Sequence, residues 1–218
     1  GASWRPLQLN LPVAPVHDLV VHGNDLVVAT HGRAFWILDD VTPLRQMTSE
    51  VAAAAAYLFE PAPAYRVRRD FSVAKVPAGE NPPPGAIIYY YLRSRPAAPI
   101  TVTIAEAQGN LVRAFSSRPP ADARDTDPFG RSTPLAEGPG LNQFVWDLRY
   151  PGHRPIPGHL LFWHPPHAPP VGPLVGPGAY RITLDVDGRR LTAPLEVRPD
   201  PRLPDRPGEL RAQLELHL

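Results

Sequence analysis

The sequence predicts an all-β fold, and three observations lead to this prediction. The chain has 218 residues, of which 31 are proline and 16 are glycine, and a proline in a helix interior costs about 3 kcal/mol. Hydrophobic residues make up 43% of the chain, enough for a packed core. Short runs rich in Val, Ile, Phe and Trp alternate with turn residues. Many short strands joined by turns fit all three observations.

The first predicted element is a three-stranded antiparallel meander. Its runs cover residues 16–22, 25–30 and 34–38, and short turns that contain Gly23 and Gly32 separate them. Standing alone, three such strands would expose a large apolar face and two open edges. We therefore expect this meander to need a neighbouring sheet.

Short helices and a proline-rich connector are predicted next, over residues 42–84. Thr42 before Pro43 suits the start of a helix, and Ser49 is predicted to cap a second, alanine-rich turn. From residue 58 to residue 84, repeated prolines predict an extended connector without regular strand pairing.

From residue 85 to residue 200 the pattern changes to regularly spaced strands. They are predicted near residues 86, 100, 111, 142, 160, 180 and 191. Asp187-Gly188 is a strong two-residue hairpin signal between the last two. Six or seven strands in this length match an immunoglobulin-like or fibronectin-III-like β-sandwich. Tyr180 fits the tyrosine-corner position of such domains, and Trp146 is predicted to lie in the core.

The chain is predicted to end in the start of a helix, over residues 201–218. Leu210, Leu214 and Leu218 recur at every fourth position, which is a helical stripe. This stripe reaches the last residue, and the first residue is Gly1 rather than methionine. We therefore expect the sequence to be a piece of a longer protein.

Charge and composition argue against several classes of function. The 22 basic and 21 acidic residues nearly balance, so no basic field is present to attract nucleic acid. There is no run of 18 apolar residues, which predicts no membrane span, and no signal-peptide pattern. Cysteine is absent, which removes disulfides, thiolate zinc sites and a cysteine nucleophile. Phosphate loops and dinucleotide fingerprints are also missing, so no cofactor is expected.

Several segments resemble the end of a sortilin-like β-propeller built from BNR repeats, also called Asp boxes. The segments are residues 3–12, 15–19, 25–33, 36–46, 79–83, 142–151 and 177–180. An Asp box has the form Ser-x-Asp-x-Gly-x-Thr-Trp, and the opening Gly-Ala-Ser-Trp resembles its tail, with Ser3 in place of Thr. Large bacterial proteins of this family are commonly labelled BNR-repeat glycosyl hydrolases.

The resemblance implies an organisation and a role. Residues 1–41 would be a partial propeller blade, and residues 85–200 an accessory immunoglobulin-like domain of a secreted or periplasmic parent protein. The chain would be a non-catalytic fragment with a structural, carbohydrate-binding or protein-binding role. Its expected partners are the rest of the parent propeller and a carbohydrate or protein. The alternative is a part of a glycoside hydrolase whose active site other blades complete.

Carboxylates are the first candidates for chemistry, because glycosidases use two of them roughly 5 to 10 Å apart. Asp18, Asp25, Asp39 and Asp40 all lie in or next to the meander. Asp39 and Asp40 are the catalytic candidates. Hydrogen bonds to turns and helix starts explain all four equally well.

Two groups of residues are candidates for binding. His31 and Arg33 flank Gly32, where they could bind an anionic ligand; the alternative is that Gly32 only supplies a positive φ angle. Trp163, together with Phe162 and Tyr150, could form an aromatic platform for a sugar, or could cover the core.

A histidine-rich loop is the only candidate metal site. Imidazoles at His159, His164 and His167 could converge on zinc or copper. The surrounding prolines keep the chain extended and separate these ligands, and such loops are usually solvated. The sequence therefore predicts no metal site, with these three residues as the candidates for one.

Overall fold

The computed structural model shows a mostly β protein. It describes residues 4, 6–67, 79, 81–118, 134–152, 172–204 and 207–216. Strands account for 44% and helices for 10%, and the sheets include a curled half-barrel. The predicted dominance of β structure is therefore confirmed. The chain divides into two compact units, Gly1–Arg45 and Gln46–Leu218.

The first unit contains the predicted antiparallel meander. Its strands are β1 (Val16–His22), β2 (Asp25–Thr30) and β3 (Phe35–Leu38), in the order β1-β2-β3. Gly23 has a φ of +60° in the two-residue turn between β1 and β2. These strands form where the sequence predicts them, because their runs are dense in β-branched and aromatic residues.

Two short helices follow, α1 (Thr42–Gln46) and α2 (Ser49–Ala53), and neither is capped as predicted. The Thr42 hydroxyl is buried and has no hydrogen-bond partner among the described residues. Thr48, not Ser49, caps α2, since its hydroxyl accepts a hydrogen bond from the Val51 amide at 3.3 Å. Thr48 has the extended backbone that an N-cap residue requires.

The second unit contains two sheets. The smaller one consists of β4 (Ala56–Leu58), β6 (Ala86–Leu92) and β9 (Gly140–Trp146), in the order β4-β6-β9. The larger one consists of β5 (Ala64–Arg66), β7 (Thr101–Glu106), β8 (Leu111–Ser116), β10 (Gly178–Val186) and β11 (Arg189–Pro199), in the order β5-β11-β10-β7-β8. The strand predicted near residue 160 lies outside the described residues.

The prediction that residues 58–84 lack regular pairing is wrong for β5. This strand pairs in parallel with the end of β11, where Ala64 lies opposite Val197. Pro61 and Pro63 precede the strand, so its three residues keep the amide groups that hydrogen-bond to a neighbouring strand. These amides are sufficient for a short strand at the edge of a sheet. Residues 68–78 and 80 of this stretch lie outside the described residues.

The inner faces of the two sheets share one hydrophobic core. Trp146, which the sequence places in the core, is fully buried, and its ring lies 5.8 Å from the ring of Tyr180 across the core. The rings of Phe115 and Phe144 form a second contact between the sheets, with 4.6 Å between their centroids. The C-terminal helix α3 (Pro207–Glu215) packs Leu214 against this core.

One local prediction about β10 is confirmed. Asp187 and Gly188 have φ angles of +45° and +76°, as a tight hairpin turn between β10 and β11 requires. The Tyr180 hydroxyl, near the start of β10, donates a 2.7 Å hydrogen bond to the Gly176 carbonyl. None of the described helices is both long and apolar enough to cross a bilayer.

Candidate functional site

The turn between β2 and β3 carries the candidates His31 and Arg33. Gly32 and Ala34 have φ angles of +72° and +64°, so the positive φ expected of Gly32 is confirmed. The Thr30 hydroxyl donates a 2.7 Å hydrogen bond to the Ala34 carbonyl, which closes the turn. The side chains of His31 and Arg33 are both exposed.

A second histidine, His17, lies beside His31. The pairing of β1 with β2 shifts between Val16 and Asp18, so His17 is the extra residue of a β-bulge. The imidazole rings of His17 and His31 stack with their centroids 5.0 Å apart and their planes 19° apart. Nothing in the sequence signals this pair, because a bulge depends on the register between two strands.

Arg33 remains a free cation in the part of the chain that the structure describes, where its guanidinium forms no ion pair. The backbone around it is held, since the Trp36 indole nitrogen donates a 2.8 Å hydrogen bond to the Arg33 carbonyl. The exposed charge is therefore attached to an ordered turn. Such a group could contact an anion or an acidic partner.

The candidates Asp39 and Asp40 lie near Asp25, and two of these three carboxylates have structural tasks. Asp25 Oδ1 accepts a 3.0 Å hydrogen bond from the Asp40 amide. Asp40, whose φ is +53°, accepts one of 3.2 Å from the Thr42 amide, as in an Asx turn. These bonds agree with the interpretation that turn and helix-start contacts explain the residues.

Asp39 differs from its neighbours because its carboxylate accepts no hydrogen bond from the described residues. Its side chain is half-buried. Burial raises the pKa of Asp39, and the charges of Asp25 and Asp40 raise it further. General acids often have a carboxyl group whose pKa is raised in this way, so that it keeps its proton to higher pH. Asp18 is simpler, since it accepts a 2.8 Å hydrogen bond from the adjacent Leu19 amide.

The candidates in the second unit fall outside the part of the chain that is described. These residues are Trp163, His159, His164 and His167. Tyr150, proposed above as part of an aromatic platform, belongs to the core cluster instead. Its hydroxyl donates a 2.8 Å hydrogen bond to Glu106, and burial, together with that carboxylate, raises the pKa of Tyr150. Tyr150 therefore cannot offer its ring to a sugar.

The other polar groups among the described residues do not form a further candidate site. No cluster of three or more His, Cys, Asp or Glu side chains in the described ranges could hold a metal ion. A cleft of about 310 Å³ is lined in part by Ser94, Asp187 and Arg189. Asp187 is already committed there, since it accepts hydrogen bonds from the amides of Ala97 and Ala98 at 3.1 and 3.2 Å.

The fold thus defines a mostly β protein with a three-stranded meander in one unit and two sheets around one core in the other. Comparison with protein-family models, with curated proteins and with solved structures gives no match to the chain. Function is therefore inferred from the meander and its side chains.

Proposed function

We propose that this chain is a non-catalytic module of a large exported protein of the BNR-repeat propeller type. In this proposal the first unit is a propeller blade, and the second unit is an immunoglobulin-like accessory domain. Their role is structural, with binding of a carbohydrate or protein partner. The observation that carries the proposal is the apolar character of both faces of the meander.

The register of the three strands assigns side chains to the two faces. One face carries Leu19, Val28 and Trp36, and the other carries Val20, Val27 and Ile37. Successive side chains of a strand point to opposite faces. Apolar residues at consecutive positions therefore cover both faces of this sheet. Leu19 is 53% exposed and Val20 is 52% exposed. Phe35, on the same face as Val20, is 76% exposed.

A sheet with two apolar faces is typical of an internal layer. An antiparallel sheet at a protein surface commonly has one polar face, in contact with water. A propeller blade instead lies between two neighbouring blades, so both of its faces are covered. Burying apolar surface contributes about 25 cal/mol per Å², which favours a partner sheet on each face.

The strand order of the second unit supports the immunoglobulin-like part of the proposal. In such domains strands A, B and E share one sheet, and strands C, F and G share the other. Assigning β4, β6 and β9 to A, B and E, and β7, β10 and β11 to C, F and G, reproduces both neighbour orders. The tyrosine corner of Tyr180 then lies near the start of strand F. Trp146 departs from antibody domains, where the core tryptophan lies on strand C.

The isolated chain tests the role of the meander. We expect it to self-associate through residues 16–38, or to show weak amide protection there while the second unit is protected. Sedimentation velocity and hydrogen exchange measure these two outcomes. The variant Val20→Thr/Phe35→Thr/Ile37→Thr replaces the apolar side chains with threonine, which favours strands, and should abolish the association. A sharp monomer with well-protected amides in residues 16–38 would contradict the proposal.

A matched control separates the meander from apolar surface in general. Leu111 and Leu141 are exposed residues of β8 and β9 in the second unit. The variant Leu111→Thr/Leu141→Thr should leave the association unchanged. A second test is the reading frame upstream of this sequence, which should contain further Ser-x-Asp-x-Gly-x-Thr-Trp boxes. Their absence would count against the propeller parent.

The raised pKa of Asp39 favours a second candidate function, a share in a glycoside hydrolase site. Asp39 would be the proton donor, with His31 and Arg33 contacting substrate, and other blades would supply the second carboxylate. Glycosidase assays of the parent protein with Asp39→Ala and Arg33→Ala test this idea. Turnover equal to that of the wild type would remove it.

A further inference from the structure

We propose that His17 and His31 form a two-histidine binding site for a late first-row divalent cation such as Cu²⁺ or Ni²⁺. The two imidazoles stack with 5.0 Å between their centroids, and both side chains are exposed. The proposal does not depend on the propeller parent, because it uses only the geometry of β1, β2 and the turn after β2.

The spacing of the rings suits two ligands of one metal ion. With metal–nitrogen bonds of about 2.0–2.1 Å and angles of about 90° to 110° at the metal, the centroids of two imidazole ligands lie about 4.5–5.2 Å apart. The observed 5.0 Å lies within this range. In the stacked arrangement the nitrogen lone pairs do not converge, because they lie in nearly parallel ring planes. Metal binding therefore requires the rings to rotate about χ2, and both side chains are exposed.

The backbone brings the two residues together before any metal binds. A bulge adds one residue to β1, and that residue is His17. Bulges commonly re-aim a side chain at the edge of a sheet. On the other side, the His31 amide donates a 2.9 Å hydrogen bond to the Pro15 carbonyl, which joins the turn to the start of β1. The two ligands are therefore spaced by main-chain contacts, which reduces the entropic cost of chelation.

The ligand type selects the class of metal. Neutral imidazole suits Cu²⁺, Ni²⁺ and Zn²⁺, whereas Mg²⁺ and Ca²⁺ prefer oxygen ligands. Affinity should follow the order Ni²⁺ below Cu²⁺, with Zn²⁺ also below Cu²⁺. With two protein ligands, water occupies the remaining coordination positions of the metal, so the site is open. An open site suits exchange of the metal, or a further ligand from a partner, better than a closed structural role.

The test is titration of the full chain with Ni²⁺ and, separately, with Cu²⁺. Calorimetry measures the binding, and two-dimensional NMR records the imidazole resonances. The background variant His159→Asn/His164→Asn/His167→Asn prevents binding by the histidine-rich loop from being counted. We expect saturable binding with selective paramagnetic broadening of the His17 and His31 signals. Mg²⁺ should give neither effect.

Single substitutions then ask whether the two rings act as one site. His17→Asn and His31→Asn should each weaken Ni²⁺ binding by about tenfold or more, the size of effect seen when a metal site loses a supporting group. The double variant should be little worse than either single variant. His22→Asn is the control, because His22 is exposed and lies on the same strand but at its other end, opposite Asp25 of β2. It should bind as the background does.

Three results would overturn the proposal. They are the lack of saturable binding, unchanged affinity in His17→Asn, and an equal loss in His22→Asn. Hydrogen exchange of β1 and β2 in each variant checks that the meander keeps its fold. If His17→Asn disturbs the sheet, the broadening of both imidazoles in the background variant still decides between one shared site and none.

Discussion

The guanidinium of Arg113 lies 3.2 Å from the carboxylate of Asp147 and joins the two sheets of the second unit. Arg113 belongs to β8 in the larger sheet, and Asp147 follows β9 in the smaller one. The Arg113 side chain is 8% exposed, whereas that of Asp147 is 39% exposed. The guanidinium also lies 4.9 Å from the centre of the Phe115 ring. A buried cation therefore connects two sheets that also pack through apolar contacts, such as that of Phe115 with Phe144.

We predict that Asp147→Asn lowers the free energy of unfolding of the second unit by about 1–3 kcal/mol. The change removes the negative charge beside a buried guanidinium, while the amide oxygen can still accept from the Arg149 amide. Arg113→Met/Asp147→Asn should recover much of the loss, since it removes the buried charge as well. Urea unfolding measures both variants.

The exposed pair of Arg190 with Asp185 is the control for this prediction. Its Nε and Oδ1 atoms are 2.9 Å apart, closer than in the buried pair, but both side chains contact water. Asp185→Asn should cost less than about 1 kcal/mol. An equal or larger cost for Asp185→Asn would show that burial does not set the strength of the Arg113 pair.

Removing the Tyr180 hydroxyl should destabilise the second unit measurably. Tyr180→Phe leaves the Gly176 carbonyl without its 2.7 Å donor, and we expect a loss of about 1–2 kcal/mol. Burial raises the pKa of Tyr180 to about 12. The hydroxyl therefore stays a donor below that pH, and the loss should be the same at pH 5 and at pH 9.

Tyr91 provides the matched control for Tyr180. Its hydroxyl also donates to a carbonyl, that of Ala52, but at 3.2 Å and in an exposed setting. Tyr91→Phe should change the free energy of unfolding by less than about 0.5 kcal/mol. If thermal unfolding gave equal shifts for the two variants, the hydrogen bond of Tyr180 would contribute no more than the exposed one of Tyr91.

Gly85 is predicted to tolerate no side chain. A Cβ atom there would overlap the Trp146 carbonyl oxygen, and the φ of Gly85 is +130°. Gly85→Ala should therefore cost about 3 kcal/mol or more, through backbone displacement between β6 and β9. Gly109→Ala separates the two causes, because Gly109 has a φ of +93° but open space around it. It should cost about 1–2 kcal/mol in an unfolding titration.

Asp39 should make the first unit less stable at neutral pH than at acid pH. Its pKa in the folded chain is raised, so the native state holds the proton more tightly than the unfolded state does. Its stabilising contribution is therefore complete below the ordinary value of 3.8 and is lost as the pH rises through the folded pKa. Asp39→Asn should stabilise the meander at pH 7 and have little effect at pH 3.

Hydrogen exchange of the β2 and β3 amides measures this effect for Asp39→Asn. Asp18→Asn is the control, since Asp18 is exposed and bonds only the neighbouring Leu19 amide among the described contacts. It should leave the exchange of these amides at pH 7 as it is in the unsubstituted chain. Faster exchange in Asp39→Asn at pH 7 would mean that the charged form supports the fold, contrary to this prediction.

Short-range patterns predicted much of the β structure. The hairpin turn at Asp187 and Gly188 and the strands on either side of it are local features, because turn residues and alternation act over a few positions. The burial of Trp146 was predicted as well, because apolar residues alternate along its strand. The helix caps were missed, since Ser49 and Thr48 both have a hydroxyl that can cap a helix and only the backbone angles decide between them.

The candidate sites depend on contacts between residues that are distant in the sequence. His31 was identifiable from its turn, but its partner His17 was not, because the bulge arises only when β1 pairs with β2. The same holds for β5, which pairs in parallel with a strand more than 100 residues later. Arg113 and Asp147 are 34 positions apart, and no periodicity relates them.

The sequence by itself determined the mostly β class, the positions of the meander and the principal strands, and a balanced charge without cysteine. Those properties depend on composition and on contacts between near neighbours. Only the tertiary structure decided which strands share a sheet, that the meander has two apolar faces, and that two histidines stack at its edge. The reason is that register between distant strands is set by the burial of whole faces, and a shift of one residue would exchange those faces.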